Sequence, residues 1–217
     1  MRFLIENNGD LDLSKLADLF RQHGAVVTSS KARLSEALLA NKKGLIIFGP
    51  FSRYSKGERD ALVHFILEGG RLAIMLHIPM PVTSLLYRLN VIASRGIILE
   101  HNNIIGNNRT RFKTAFLFPH LVTKDLRQFS LYGTWALLNT RSNVELVAET
   151  SPQAWLDLNG NNKQESTEPA GTFAVLVAGR LGKGEYLVFG DDAIFQNRFL
   201  TDDNEKLAEN LIAWLLR

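Results

Sequence analysis

Six polar residues stand close behind apolar runs of the sequence, where a strand would end: Asn7, Asn8, Ser52, His77, Asp191 and Asp192. Ligands of open α/β sheets bind outside the carboxyl ends of the strands. If the runs form one sheet, these side chains line one crevice and are its candidate ligand-binding residues. The same residue types also form turns and cap helices, which is the alternative interpretation at each position.

His77 has the clearest route to catalysis, because it stands where a strand meets a turn. A nucleophile elbow occupies that place in many α/β enzymes and needs small neighbours, whereas bulky residues fill 78–80. We therefore interpret His77 as a hydrogen-bonded structural residue. The alternative is a hydrolase or ligand-processing enzyme that pairs His77 with Asp191 or Asp192.

Metal and thiol chemistry are not expected. Asp191 and Asp192 lie near Asp202 and Asp203, and carboxylates are ligands for hard cations. Their spacing matches no calcium loop, and an aspartate at a helix start is favoured by the helix dipole without a metal. The chain has no cysteine, which excludes disulfides, thiolate metal sites and a cysteine nucleophile. We expect no metal and no cofactor.

The segment from residue 88 to 127 is basic and carries Phe112, Phe116 and Phe118 among arginines. Aromatic residues interleaved with basic ones can bind single-stranded nucleic acid. The alternative is a strand with buried phenylalanines and solvated basic residues on its other face. No recognised nucleic-acid motif accompanies the pattern, so we do not expect a nucleic-acid partner.

The elements that must position these residues follow from alternating apolar runs and amphipathic segments. Strands are predicted near residues 2–6, 25–28, 44–48, 71–76 and 185–190. Continuous apolar runs are typical of parallel strands buried on both faces. Gly182-Lys183-Gly184 predicts an antiparallel hairpin with 172–178. The predicted fold class is α/β: a flavodoxin-like three-layer sandwich with a mainly parallel central sheet and an antiparallel hairpin near the C-terminus.

The length of 217 residues fits one domain over 1–217, with an irregular insertion around 100–170. No run approaches the roughly 18 apolar residues of a membrane span, and the first residues do not have the pattern of a signal peptide. We therefore expect a cytoplasmic protein.

Several segments, taken in order and spacing, resemble a known module. They lie at 49–50, 58–62, 69–72, 149–155, 171–175, 182–191 and 197–215. The module occurs in the auxiliary component of gliding-motility-type ABC transporters and in related uncharacterised bacterial and archaeal proteins. It is similar in fold to class I glutamine amidotransferases, so the resemblance implies a glutamine-amidotransferase-like domain.

The resemblance implies no glutaminase activity. The family enzymes place a cysteine in a glycine-flanked elbow, and the equivalent place here, near Leu76-His77-Ile78, has neither cysteine nor flanking glycine. No catalytic residue is carried over. We expect a non-catalytic binding or scaffold module that acts through a protein partner or small ligand. The resemblance also implies a link to an ABC transporter through a membrane-associated partner.

Overall fold

The structure is a computed structural model that describes residues 2–7, 12–50, 52–139 and 141–217; for residues 2–7 it describes the backbone. The strands are β1 Arg2–Asn7, β2 Val26–Ser30, β3 Gly44–Phe48, β4 Arg71–Met75, β5 Val91–Leu99, β6 Ile104–Ile105, β7 Asn108–Thr114, β8 Phe116–Leu117, β9 Phe129–Tyr132, β10 Trp135–Asn139, β11 Val144–Glu149, β12 Trp155–Asp157, β13 Ala174–Leu181 and β14 Gly184–Phe189. The α-helices are α1 Ser14–Gln22, α2 Glu36–Leu39, α3 Lys56–Leu67, α4 Thr83–Arg88 and α5 Asp203–Leu216. Short 3₁₀ helices span Met80–Val82, Leu121–Thr123 and Ala193–Phe195.

One half of the main sheet is parallel, with strand order β2-β1-β3-β4-β14. Its central strand β3 is buried along its whole length. Successive side chains of a strand point to opposite faces, so Ile46 and Phe48 enter one hydrophobic core while Leu45 and Ile47 enter the other. The continuous apolar run therefore has a core on each side.

The other half is antiparallel. β13 folds back on β14 through a turn in which Gly182 has a φ of +61°, a conformation that favours glycine. Beyond β13 the sheet continues through β10 and β5 to β12, and β11 pairs with both β13 and β8. A separate sheet of β6, β7 and β9 lies within the segment predicted to be an irregular insertion.

The predicted fold class is wrong. Among the described strands of the main sheet, four pairs are parallel and six are antiparallel. The sheet is therefore mixed, and the molecule is an α/β protein without the mainly parallel sandwich of flavodoxin-like folds. The physical reason is that half of the sheet comes from middle strands that pair antiparallel across long sequence separations.

Helices cover both faces of the sheet. α1 and α5 contribute to one core, which contains Phe20 and Trp214, and α2, α3 and α4 contribute to the other, which contains Leu62 and Leu85. Two buried amides attach α5 to the middle of the chain: Asn204 exchanges hydrogen bonds with the main chain of Ser130, and Asn210 donates to two main-chain carbonyls.

None of the helices within the described residues combines the length and the apolar character that crossing a bilayer requires.

Candidate functional site

The topology brings two of the predicted crevice residues together. β4 and β14 are adjacent and parallel, with Met75 opposite Phe189. The main-chain N–H of Leu76 donates to the carbonyl of Phe189 at 3.0 Å, which extends the pairing past the end of β4. The residues that follow, His77 on one strand and Asp192 on the other, therefore leave the sheet side by side.

His77 and Asp192 form a direct contact. His77 Nδ1 lies 3.2 Å from Asp192 Oδ1, with the aspartate side chain 4% exposed and the histidine side chain 43% exposed. Burial raises the pKa of Asp192, and His77 opposes that rise through charge and hydrogen bonding. The second carboxylate oxygen, Oδ2, is buried and has no hydrogen-bond partner among the described residues.

The indole of Trp135 anchors the histidine backbone, since its Nε1 donates to the His77 carbonyl at 2.9 Å. Trp135 comes from β10 in the antiparallel half, and its main-chain N–H donates to the Gly190 carbonyl at 2.8 Å. This residue was not among the predicted site residues. The only sequence signal was a tryptophan in a short apolar segment, which gives no indication of its partner.

The carboxylate of Asp191 binds main-chain N–H groups from two parts of the chain. Its carboxylate accepts the N–H of Ala193 at 2.8 Å, two residues ahead, and the N–H of Tyr132 at the end of β9. Burial raises the pKa of Asp191 to about 7, although these two hydrogen bonds favour the charged form. Both carboxylate oxygens thus fix the junction between β14 and β9.

The remaining candidates do not join this pair. Ser52 lines a groove of about 480 Å³ together with Lys31, Arg33 and Arg53, and neither His77 nor Asp192 lines that groove. The backbone of Asn7 pairs with Phe48 at the end of β3, and Asn8 lies outside the described residues. The structure therefore brings together His77 and Asp192 and places Asp191 beside them, without gathering all six residues.

A second concave surface lies over the antiparallel half. It has a volume of about 510 Å³, and its walls come from β5, β10, β11, β12 and β13 and the residues before β13. We call this surface the apolar groove; the apolar side chains that matter below are Ile92, Leu138, Leu146, Leu156 and Phe173. No residue of the groove was among the predicted site residues, because its strands were the least certain part of the sequence.

Comparison with known proteins identifies the fold and no family. No model of a protein family matches the chain, and no curated protein sequence matches it. Among solved structures, the mmIFT52 N-terminal domain is similar with a TM-score of 0.80 and 14% identity, covering 100% of this chain and 97% of that one. A ThuA-like protein from Bacteroides uniformis is similar at 0.60 and 16%, covering 99% and 91%.

A protein described as a component of GMP synthase, from Thermoplasma acidophilum, is similar with a TM-score of 0.54 and 10% identity, covering 100% and 94% of the two chains. The resemblance to the auxiliary module of gliding-motility-type ABC transporters is wrong, since none of these findings shows that link and no family model matches. The coarser likeness, to the α/β fold of the ThuA-like and GMP synthase structures, is supported. At these identities the comparisons show a shared fold alone.

Proposed function

We propose that this chain is a non-catalytic binding module that docks a protein partner in the apolar groove. The observation that carries the proposal is the pair Ile92 and Leu138. They lie directly opposite one another on β5 and β10 and are 42% and 60% exposed. Both side chains line the apolar groove.

An apolar patch of this kind favours a protein partner. Leu146 and Phe173, both half-buried, extend the wall of the groove beyond the exposed pair. Full burial of one such side chain contributes roughly 1.5–3 kcal/mol, and contiguous exposed apolar surface is typical of interaction sites. Strands, rather than mobile loops, position most of these side chains, so little conformational entropy is lost on docking.

The chemistry at the carboxyl edge also favours binding over catalysis. The chain has no cysteine. The carboxylate of Asp191 already accepts two main-chain N–H groups. Neither His77 nor Asp192 lines the grooves that Ser52 and Leu138 line.

The test is a substitution that places a charge in the apolar groove and leaves the packing of the hydrophobic cores unchanged. Leu138→Asp should remove a protein that co-purifies with the wild-type chain from its own cells, because an aspartate in an apolar interface loses its hydration. Tyr87→Asp is the matched control, since Tyr87 is 71% exposed on α4 and does not line the groove. Co-purification that survives Leu138→Asp, or that is lost equally in both variants, would refute the proposal.

The second candidate function is a hydrolase or ligand-processing enzyme, favoured by the 3.2 Å contact between His77 Nδ1 and Asp192 Oδ1. A buried carboxylate that orients a histidine through Nδ1–H leaves Nε2 to exchange the proton with a substrate, as in hydrolytic triads. In this candidate, Asp192 is the orienting residue and His77 is the general base.

Ester hydrolysis distinguishes the candidates. Under the catalytic alternative, the wild-type chain hydrolyses p-nitrophenyl acetate with first-order dependence on protein. His77→Ala and Asp192→Asn then both abolish the activity, while His64→Ala on the exposed face of α3 leaves it intact. Under the binding proposal, all four proteins give the same background rate.

A further inference from the structure

The groove that Ser52 lines carries a concentration of positive charge that the docking of a protein partner does not use. Its volume is about 480 Å³, and three of the side chains that line it are cations: Lys31, Arg33 and Arg53. We propose that this groove, which we call the basic groove, binds a small molecule that carries a phosphate group. The site is separate from the apolar groove and does not depend on it.

The basic groove lies where the parallel half of the sheet changes direction. β1 pairs with β2 on one side and with β3 on the other, so the sheet extends in opposite directions from β1. The helix between β1 and β2, α1, packs into one core, whereas α2, between β2 and β3, packs into the other. In open α/β sheets, ligands bind outside the carboxyl ends of the strands at such a point.

Two segments of the chain supply the cations at that edge of the sheet. Lys31 and Arg33 come directly after the end of β2, and Arg53 lies on the segment that leads from β3 to α3. β2 and β3 are parallel to β1 and flank it on opposite sides, so both segments leave the sheet at the same edge. Cations from separate parts of the sequence therefore line one groove.

The carboxylate of Glu58 joins the two segments. Its Oε1 accepts the main-chain N–H of Leu34 at 3.3 Å, and its Oε2 accepts that of Ser55 at 2.8 Å. Arg59 also donates to the carbonyl of Tyr54, a buried residue of the second segment. Hydrogen bonds therefore hold the backbone on both sides of the groove, so a ligand has mainly side chains to order when it binds.

The protein balances only part of the charge in the groove. Glu58 is the one acid among the described residues that line it, and both of its oxygens already accept main-chain N–H groups. Among the ion pairs of the described residues, none includes Lys31, Arg33 or Arg53. The lining therefore has a net charge of +2, and a cleft lined by one sign of charge attracts ligands of the opposite sign.

The side chains of the groove suit a phosphate group. Guanidinium groups bind phosphate oxygens in pairs, and lysine binds the same oxygens as a point charge. A phosphate monoester has a charge of about −1.5 to −2 near pH 7, which matches the lining better than a single carboxylate does. Ser52, exposed beside Arg53, adds a hydroxyl donor. The start of α3 is already capped by Ser55 and Glu58, so the three side-chain cations supply the attraction.

The experiment is a calorimetric titration of the whole chain with pyrophosphate, at low ionic strength and without a divalent metal. We expect one site per chain with a Kd of about 1 mM or below, and binding that weakens as added salt screens the charges. Arg53→Glu should weaken binding about tenfold or more, because it replaces a cation of the groove with an anion. Arg127→Glu is the matched control, since Arg127 is exposed and does not line the groove.

Lys31→Glu, on the other side of the groove, should weaken binding in the same way and keeps the inference falsifiable if Arg53→Glu fails to fold. A parallel titration with ADP identifies the source of the phosphate: tighter binding than pyrophosphate assigns the groove to an organic phosphate, and equal or weaker binding to an inorganic one. The inference is overturned if about 10 mM pyrophosphate produces no heat with the wild type. It is equally overturned if Arg127→Glu weakens binding as much as the two groove variants do.

Discussion

Asp191 shows at the scale of one residue how burial and hydrogen bonding compete. Two main-chain N–H groups favour its charged form, yet it is 1% exposed. Burial is the larger effect and raises its pKa from 3.8 to about 7. The folded protein therefore holds a proton on Asp191 at pH values where the unfolded chain has already lost it.

We predict that the stability contributed by Asp191 is present in full below about pH 4 and is lost as the pH rises to about 7. In that window the folded state binds more protons than the unfolded state, so the free energy of unfolding falls with rising pH. Melting curves from pH 4 to pH 8 test this. Asp191→Asn should flatten the decline, whereas Asp18→Asn on the exposed face of α1 should leave it in place. Parallel curves for all three proteins would contradict the assignment.

At the scale of elements, helix α3 contains a glycine, Gly57, where neither the packing nor the backbone conformation requires one. A Cβ at Gly57 would meet nothing within 4 Å, and its φ is not in the left-handed region. We predict that Gly57→Ala stabilises the protein by about 0.5–1 kcal/mol, because alanine reduces the entropy of the unfolded chain. Urea denaturation midpoints measure the change.

Gly24→Ala is the matched control for that substitution. Gly24 also has open space around its Cβ, but its φ is +77° after the end of α1. An alanine there should lower the stability, because the left-handed conformation is strained for residues with a Cβ. Equal effects of the two alanines would contradict the backbone argument.

Gly190 is required where β14 leaves the sheet. A Cβ there would lie 2.2 Å from the Trp135 carbonyl oxygen and 2.6 Å from Thr134 Oγ1. We predict that Gly190→Ala destabilises the protein by at least about 2 kcal/mol, since the obstacle includes backbone that cannot rotate away. Chemical denaturation of this variant beside Gly57→Ala measures the difference. A loss within about 0.5 kcal/mol would show that β10 and β14 do not approach as closely as described.

Strands with a local sequence signal could be predicted, whereas strands that pair with distant segments of the chain could not. β3 and β4 are continuous apolar runs between turn residues, so their presence and parallel direction could be predicted. β5 pairs with β10 and with β12, about 40 and 60 residues further along the chain, and nothing in a short strand specifies such a partner. This is why the sheet was expected to be mainly parallel and is mixed.

The residues of the candidate site also differ in how far the sequence could predict them. His77 and Asp192 each follow a recognisable strand, so both could be proposed as site residues, but their 3.2 Å contact depends on β4 and β14 being neighbours. Trp135 in the antiparallel half and Tyr132 in the separate sheet of β6, β7 and β9 hold the same edge.

At the scale of the whole molecule, the two halves of the sheet share their cores. The core that contains Phe20 of α1 also contains Val147 of β11 and Leu176 of β13, and the other core joins Leu45 to Leu137. Two hydrogen bonds join the halves at the end of β14, from Trp135 N–H to the Gly190 carbonyl and from Gly190 N–H to the Val175 carbonyl. The N–H of Tyr132, in the separate sheet, donates to Asp191 beside them. Neither half can lose its packing without exposing apolar surface of the other.

We predict that the chain unfolds in one cooperative transition, because the shared cores leave neither half a complete core of its own. Circular dichroism and tryptophan fluorescence should give coincident melting curves, since Trp135 and Trp155 lie in the antiparallel half, Trp214 lies on α5, and the helices report both halves. Gly190→Ala, which strains the junction, should shift this single transition downward without splitting it. Two separated transitions, in the wild type or in that variant, would show that the halves are independent folding units and that the prediction of one domain is wrong.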